Sequence, residues 1–358
     1  MPRHLPVLDG LRGLAVLLVL WCHVPPSLAG YPEWLRFTYW FVEPGGLGVE
    51  TFFVLSGFLI TRILLAEREL GAPVRWFLLR RLLRIAPIYL LLLAVMATRR
   101  PLPEIGWCAV YLFNIASITT PMPGPLEHTW SLCVEEHFYL VWPLVVAFLP
   151  RVWSLRVLAF GIVPLALLSM VVACTRFEAV TAQLVIERFT PCRSLGLAVG
   201  ALFAFGERSL LATRARATCL AAALLLLAGL GHPHFWFLLG PYWTGSGEWV
   251  SLYWAPMWWR VQTVALCAGL LLWCLRPGPG VLAFVFSTAP LRAIGRISYG
   301  LYLYHLPLYY ALAPTPNWPE IALAVGATFG VATLSFVLLE RPLLRFGARF
   351  RGRAAAAA

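Results

Sequence analysis

The sequence predicts an all-α polytopic membrane protein in which about ten transmembrane helices surround a polar intramembrane cavity. Of its 358 residues, 60% are hydrophobic and 12% are charged, whereas a soluble domain carries about 25% charged residues. Apolar runs long enough to cross a hydrocarbon core about 30 Å thick recur along the chain, and polar residues interrupt several of them. We expect one membrane domain over residues 1–345 and a disordered, basic, Ala-rich tail over residues 346–358.

Ten apolar runs are predicted to cross the membrane as helices: residues 11–28, 47–65, 85–98, 131–149, 157–174, 190–206, 217–231, 261–275, 293–312 and 321–340. A weaker run at residues 104–118 is expected to be re-entrant or interfacial, because prolines flank it and an eleventh span would reverse everything after it. All 28 basic residues are Arg, and ten spans with a cytoplasmic N-terminus place most of them in the cytoplasm. Both termini are therefore expected to be cytoplasmic.

Arg12 and His23 lie in the first predicted span, about 16 Å of helix apart. A guanidinium and an imidazole are costly in a bilayer unless they face protein or water, so each is a candidate for a functional site. Arg12 would lie near the inner surface and His23 deeper in the membrane. This layout suits a long ligand with an anionic head and a reactive tip.

Polar side chains on three other predicted spans fall at a depth similar to that of His23: Glu50, Ser131, Glu135, Glu136, Tyr302 and His305. Unpaired carboxylates at that depth would be costly, and a shared polar cavity would remove the cost. A neutral His23 could act there as a general base, with Glu50 as the first and Glu135 as the second candidate for the carboxylate that orients it. An interfacial position explains Glu136 equally well. Structural packing and substrate contact explain His305 equally well.

The cytoplasmic end of the third predicted span carries four Arg in the segment RWFLLRRLLRIAP, residues 75–87. Arg80, Arg81 and Arg84, with Arg12 at the membrane entrance, could bind the phosphates of a nucleotide-type donor. Alternatively, these charges satisfy the positive-inside rule or contact anionic lipid. We expect no metal site, because the eight Cys lack ligand spacing, and no nucleic-acid partner, because topology accounts for the net charge of +12.

Aromatic residues are dense between residues 232 and 259. Their rings could stack on the sugars or bases of an acceptor. An aromatic belt at the membrane interface is the alternative explanation.

Several motifs, in order along residues 6–345, resemble the membrane-bound acyltransferase 3 family of bacterial O-acyltransferases. The segment VLDGLRGLAVLLVLWCH (Val7–His23) has that family's signature of Arg and His with ten residues between them. The other similar segments are GVETFFVLSGFLITRILL, RRLLRIAPIY, HTWSLCVEEHFYLVWP, ISYGLYLYHLPL and LLERPLLR. Glu50 stands where the family often has Asp. No SGNH-type domain is appended here, so transfer is expected to finish in the membrane domain or with a partner.

The resemblance implies an enzyme of the bacterial cell membrane that transfers an acyl group, commonly acetyl, from cytoplasmic acyl-CoA to a hydroxyl. The acceptor would belong to a polysaccharide, peptidoglycan, a lipid or a natural product. CoA phosphates would lie near Arg12 and the cluster of Arg80, Arg81 and Arg84, and the pantetheine arm would reach His23, the general base or a transient acyl carrier. The residues expected to contact substrate are Trp130, Ser131, Tyr302 and His305.

Two other classes of function remain open from the sequence. A polytopic transporter or flippase for lipid-linked sugars would also need a polar cavity, although no convincing inverted repeat is present. A non-catalytic membrane receptor or scaffold would leave the arrangement of Arg12 and His23 unexplained.

Overall fold

The computed structural model describes residues 5–24, 46–99, 102–230, 248–278, 280–315 and 317–356. Helices make up most of these residues, and no β-strand occurs among them, which confirms the predicted all-α class. The aromatic segment predicted near residues 232–259 falls partly outside the described residues, since residues 231–247 are not among them.

The first half of the chain forms a series of α-helices and one 3₁₀ turn. They are α1 Pro6–Cys22, α2 Gly46–Glu69, α3 Val74–Arg99, α4 Glu104–Ala109, α5 Phe113–Thr119, the 3₁₀ turn Glu127–Thr129, α6 Trp130–Phe148 and α7 Arg151–Arg156. A π-helical segment, Val157–Ile162, joins α7 to the next helix.

The second half is also mostly helical in its described residues. Its helices are α8 Val163–Arg176, α9 Ala179–Arg188, α10 Thr190–Leu210, α11 Arg214–Leu230, α12 Glu248–Leu275, α13 Val281–Phe286, α14 Ala289–Arg296, α15 Ser298–Leu312, α16 Trp318–Ser335 and α17 Arg341–Ala356. The π-helical segment Phe336–Glu340 connects the last two.

Five helical stretches within the described residues are long and apolar enough to cross a membrane. They are Gly46–Glu69, Glu127–Phe148, Arg151–Arg176, Pro256–Leu275 and Trp318–Phe350. A sixth is added if Ala179–Arg188 and Thr190–Glu207, which meet at a 45° bend, form one broken span. Helix α1, with 17 residues, is not among these stretches.

Large apolar side chains on these stretches are exposed on the surface of the protein. Phe148 at the end of α6 is 76% exposed and Phe160 in the π-helical segment is 80% exposed. Water-soluble proteins rarely expose extended apolar surface, whereas a lipid-facing surface is apolar throughout. The exposure therefore agrees with an integral membrane protein.

The chain divides into two compact units, and each is described by itself. The first unit comprises residues 1–49, 63–149 and 287–358. Here α1 and α14 approach closely through glycine: a Cβ on Gly13 would lie 2.3 Å from the Leu291 carbonyl oxygen, and one on Gly295 would lie 1.8 Å from that of Asp9. Small residues allow such backbone contact between membrane helices.

The second unit comprises residues 50–62 and 150–286. Its part of α2 packs on α10 at similarly short range. A Cβ on Gly57 would lie 1.9 Å from the Leu197 carbonyl oxygen, and one on Gly200 would lie 2.0 Å from that of Val54. Both units therefore use glycine to bring helix backbones together.

Three segments differ in detail from the predicted runs. Residues 104–118 form the short helices α4 and α5, separated near Tyr111, whose φ of 56° is left-handed and interrupts a helix. The run 293–312 is divided at Ile297 into α14 and α15. The third is the C-terminal segment, where α17 runs from Arg341 to Ala356 and so passes residue 345.

Candidate active site

Three histidines from separate elements of the first unit meet inside the protein. His23 directly follows the last residue of α1, His128 belongs to the 3₁₀ turn before α6, and His305 lies in α15. The ring centroid of His305 is 4.8 Å from that of His23 and 4.9 Å from that of His128, both at steep angles. His128 and His305 are buried, and His23 is partly exposed.

Hydrogen bonds to main-chain carbonyls determine which ring nitrogen carries the proton, because a carbonyl oxygen can only accept. His23 Nδ1 lies 2.8 Å from the Val19 oxygen, and His305 Nδ1 lies 2.7 Å from the Tyr302 oxygen. His128 Nε2 lies 3.2 Å from the Leu303 oxygen. Each of these nitrogens therefore donates. In neutral His23 the lone pair is then on Nε2, the atom that can take a proton from a hydroxyl.

Two predicted substrate contacts lie next to the histidines. The Tyr302 hydroxyl donates to the His128 carbonyl oxygen at 2.8 Å, and the Ser131 and Tyr302 hydroxyl oxygens are 2.5 Å apart. Trp130, the residue before Ser131, is 8% exposed. The structure thus brings Ser131, Tyr302 and His305 together around His128.

The basic residues of α1 and α3 form a second cluster in the same unit. Arg12, Arg81 and Arg84 lie within electrostatic range of one another, and the Arg81 guanidinium carbon is 4.1 Å from the centre of the Tyr139 ring. Glu340 interacts with Arg84 and Arg12. Arg80 is directed elsewhere, to an ion pair with Glu67.

Buried polar atoms in this second cluster remain without hydrogen-bond partners among the described residues. They are Arg81 Nε, Glu136 Oε1 and Glu340 Oε1. Such orphaned atoms are rare in proteins, and a polar ligand often satisfies them. The phosphates that were predicted for this cluster fit the free guanidinium donor of Arg81, and the two carboxylate oxygens fit hydroxyl or amide donors.

Glu135 connects the two clusters. Its carboxylate lies within electrostatic range of Arg12 and Arg81 on one side and of Tyr302 on the other. Polar groups therefore lead from Arg12 through Glu135 to Tyr302, and from there through His128 and His305 to His23.

Glu50, the first candidate for the His23 carboxylate, lies in the second unit, whereas His23 belongs to the first. Glu50 Oε2 is 3.0 Å from Arg260 Nη1 and 3.1 Å from Arg193 Nη1. All three side chains are buried. Helix α10 packs directly against the Glu50 carboxylate, since a Cβ on Gly196 would lie 1.9 Å from Glu50 Oε1. The described ion pairs of Glu50 are thus with arginines.

Sequence reasoning gave no role to His128, Arg193 or Arg260. His128 could have been found three residues before Ser131, a spacing that places both at the same helix entrance. Arg193 lies inside a predicted apolar run and Arg260 at the edge of another. An arginine in such a position requires a counter-charge, which the structure supplies as Glu50.

No group of three or more His, Cys, Asp or Glu side chains in the described part of the chain has an arrangement that could hold a metal ion. An all-helical membrane protein with a largely buried histidine cluster and a basic cluster in the same unit has side chains that can move protons and bind an anionic ligand. Its class is that of a membrane protein with an internal polar site. The chain belongs to the acyltransferase family, because the family described as "Acyltransferase domain" matches residues 5–340. This confirms the resemblance seen in the motifs.

Three relatives carry similar sequence over nearly the whole chain. Peptidoglycan O-acetyltransferase OatA of Listeria monocytogenes is 30% identical over 96% of this chain and 56% of its own length. The putative peptidoglycan O-acetyltransferase YrhL of Bacillus subtilis is 29% identical over 97% and 56%. O-acetyltransferase OatA of Staphylococcus aureus is 27% identical over 97% and 58%. The chain thus spans a little over half the length of these curated relatives. No solved structure matches it.

Proposed function

We propose that this protein is an integral membrane O-acyltransferase that moves an acyl group, acetyl in the first instance, from cytoplasmic acyl-CoA to a hydroxyl of a cell-envelope glycan. Membership of the acyltransferase family supports the reaction, and the names of the relatives support acetyl as the group and peptidoglycan-type glycans as acceptors. The arrangement of about ten spans around a polar cavity, with both termini cytoplasmic, is part of the same proposal and rests on the distribution of Arg.

The observation that carries the proposal is the series of polar groups in the first unit, in which Glu135 lies within electrostatic range of both Arg12 and Tyr302, and hydrogen bonds and ring contacts link Tyr302 to the histidines. A donor with an anionic head and a thioester tip matches the two ends of this series. Arg12, Arg81 and Arg84 would hold the phosphates, and Arg80 would contribute if it exchanged Glu67 for a phosphate. Binding both substrates in one site supplies proximity and orientation.

His23 Nε2 would act as the general base. It takes the proton of the acceptor hydroxyl while the hydroxyl oxygen attacks the thioester carbonyl carbon. The new C–O bond forms, the C–S bond breaks, and the proton passes from His23 to the leaving CoA thiolate. The hydroxyls of Ser131 and Tyr302, 2.5 Å apart beside His128, would orient the acceptor, with Trp130 next to them.

Substitution of His23 tests the function directly. The purified full chain would be reconstituted in liposomes with acetyl-CoA and N-acetylglucosamine oligosaccharides as probes, and free CoA thiol and acetylated oligosaccharide would be measured. His23→Gln is expected to lower the rate at least about 100-fold, the usual contribution of general base catalysis. His137→Gln, a histidine of α6 outside the cluster, serves as the matched control and should stay near the wild-type rate.

A wild-type rate in folded His23→Gln would exclude His23 as the base. The family and the relatives give no support for the transporter alternative. Translocation of a lipid-linked sugar by the same liposomes, without release of CoA thiol, would nevertheless favour it over transfer.

A further inference from the structure

We propose that His305 is a positioning residue for the reaction described above, and that its Nε2 atom accepts the proton on His23 Nδ1. This inference rests on the proposed function, because it concerns how His23 is prepared to act as a base. In serine hydrolases a carboxylate serves this purpose, because it holds the histidine in the productive tautomer and orientation. Here a neutral imidazole would do so.

The tautomer of His305 follows from its own contacts. Its Nδ1 lies 2.7 Å from the Tyr302 carbonyl oxygen, so this nitrogen carries the proton. A neutral imidazole with a proton on Nδ1 has its lone pair on Nε2. That Nε2 atom lies 3.3 Å from His23 Nδ1. The acceptor of His305 is therefore next to the nitrogen of His23 that must stay protonated.

The surroundings of His23 Nδ1 contain acceptors. Besides His305 Nε2, they include the Val19 carbonyl oxygen at 2.8 Å and the Cys22 sulfur at 3.3 Å. The Cys22 thiol itself lies 3.0 Å from the Val19 oxygen, to which it can donate. Because these neighbours can share a proton on Nδ1, they favour the tautomer that leaves Nε2 as the base.

Packing holds the His305 ring in place. Its side chain is fully buried, with the His128 ring on one side and the Tyr309 ring perpendicular to it at 5.9 Å. His128 is fixed in turn by its bond to the Leu303 carbonyl oxygen at 3.2 Å. Rotation of His305 would therefore break its bond to Tyr302 and disturb its packing against the His128 and Tyr309 rings.

A neutral partner also suits the location. An ionised carboxylate buried beside His23 would carry a large desolvation cost, as any ion does in a protein interior. The two carboxylates considered from sequence are engaged with arginines: Glu50 with Arg193 and Arg260, and Glu135 in the field of Arg12 and Arg81. His305 offers an acceptor without a buried charge, a role that differs from both the substrate contact and the structural packing considered from the sequence.

A matched pair of variants separates the acceptor from the bulk of the side chain. His305→Gln can place an amide oxygen near the position of Nε2, whereas His305→Met has similar length and no strong acceptor. In the liposome assay, His305→Met is expected to lower kcat about 100-fold with the KM for acetyl-CoA unchanged, because the His23 ring loses the side-chain acceptor that orients it. His305→Gln keeps an acceptor and should stay within about tenfold of wild type. Equal rates for both variants would overturn the inference.

A measurement on the native chain avoids dependence on the folding of these variants. In protein labelled with ¹⁵N-histidine, the His23 resonances would be assigned from their loss in His23→Gln. Wild-type His23 should carry its proton on Nδ1, and a proton on Nε2 would overturn the inference. The two proposals fail separately: if His23→Gln is inactive and His305→Met is fully active, only the role of His305 is wrong, whereas a fully active His23→Gln contradicts the proposed function itself.

Discussion

Neutralising Glu50 is expected to destabilise the second unit of the protein. The Glu50 carboxylate is 3.0 Å from the Arg260 guanidinium and 3.1 Å from that of Arg193, and all three side chains are buried. Glu50→Gln keeps the shape of the side chain and removes the charge that both arginines contact. Removing one partner of a buried ion pair costs about 3–5 kcal/mol, because the remaining charge stays desolvated.

The assay is thermal unfolding of the purified chain in detergent, followed by a fluorescent thiol probe that reacts with buried Cys. From the size of that cost, the midpoint of Glu50→Gln should fall by roughly 5–15 °C. Glu178→Gln, an exposed glutamate of the same unit, is the matched control and should change it by less than about 2 °C. In the double variant Glu50→Gln with Arg260→Gln, part of the lost stability should return, because one buried charge is removed with its partner.

The opposite outcome would refute this reasoning in a specific way. If Glu50→Gln unfolds at the wild-type temperature but loses acyl transfer, the ion pairs are not what Glu50 is needed for. The carboxylate would then act in catalysis, as expected from the sequence, where Glu50 is the first candidate for the carboxylate that orients His23.

Two further substitutions test the packing of α1 and the donor site. Gly295→Ala should lower the unfolding temperature, because its Cβ would lie 1.8 Å from the Asp9 carbonyl oxygen and prevent the close contact of α14 with α1. Gly326→Ala, where a Cβ meets open space, is the control and should be neutral or slightly stabilising. Equal unfolding temperatures for the two variants would contradict the contact. Arg12→Gln should raise the KM for acetyl-CoA roughly tenfold or more, the contribution of one charge-assisted hydrogen bond. Replacement of the exposed Arg296 by Gln is the control and should leave the KM unchanged. Titration of acetyl-CoA at low salt measures both, and an unchanged KM for Arg12→Gln would show that Arg12 does not bind the donor.

Much of the site could be assembled from sequence because depth in a membrane follows from residue number along a helix. Ser131, Tyr302 and His305 were expected at one level and do meet around His128. The role of each was harder to assign. The depth of two residues in the membrane shows that they lie at the same level, but it does not show which faces of their helices point toward each other.

The partners of the charged residues show this limit most clearly. Arg193 and Arg260 are far from Glu50 in the chain, and only the packing of α10 and α12 on α2 brings them to its carboxylate. Helix α17 likewise continues to Ala356 through a segment with few apolar residues. Most residues of this segment are Arg or Ala, which are good helix formers, and this local preference favours a helix there.

The helical class and the presence of a polar site followed from the sequence alone. Hydropathy is a local property, and in a bilayer each backbone segment must satisfy its own hydrogen bonds, so an apolar run already implies a helix. The tautomers of the histidines, the direction of the Glu50 carboxylate and the link from Arg12 through Glu135 to Tyr302 were decided only by tertiary structure. They depend on hydrogen bonds and charges between residues distant in sequence, whose distances no pattern along the chain contains.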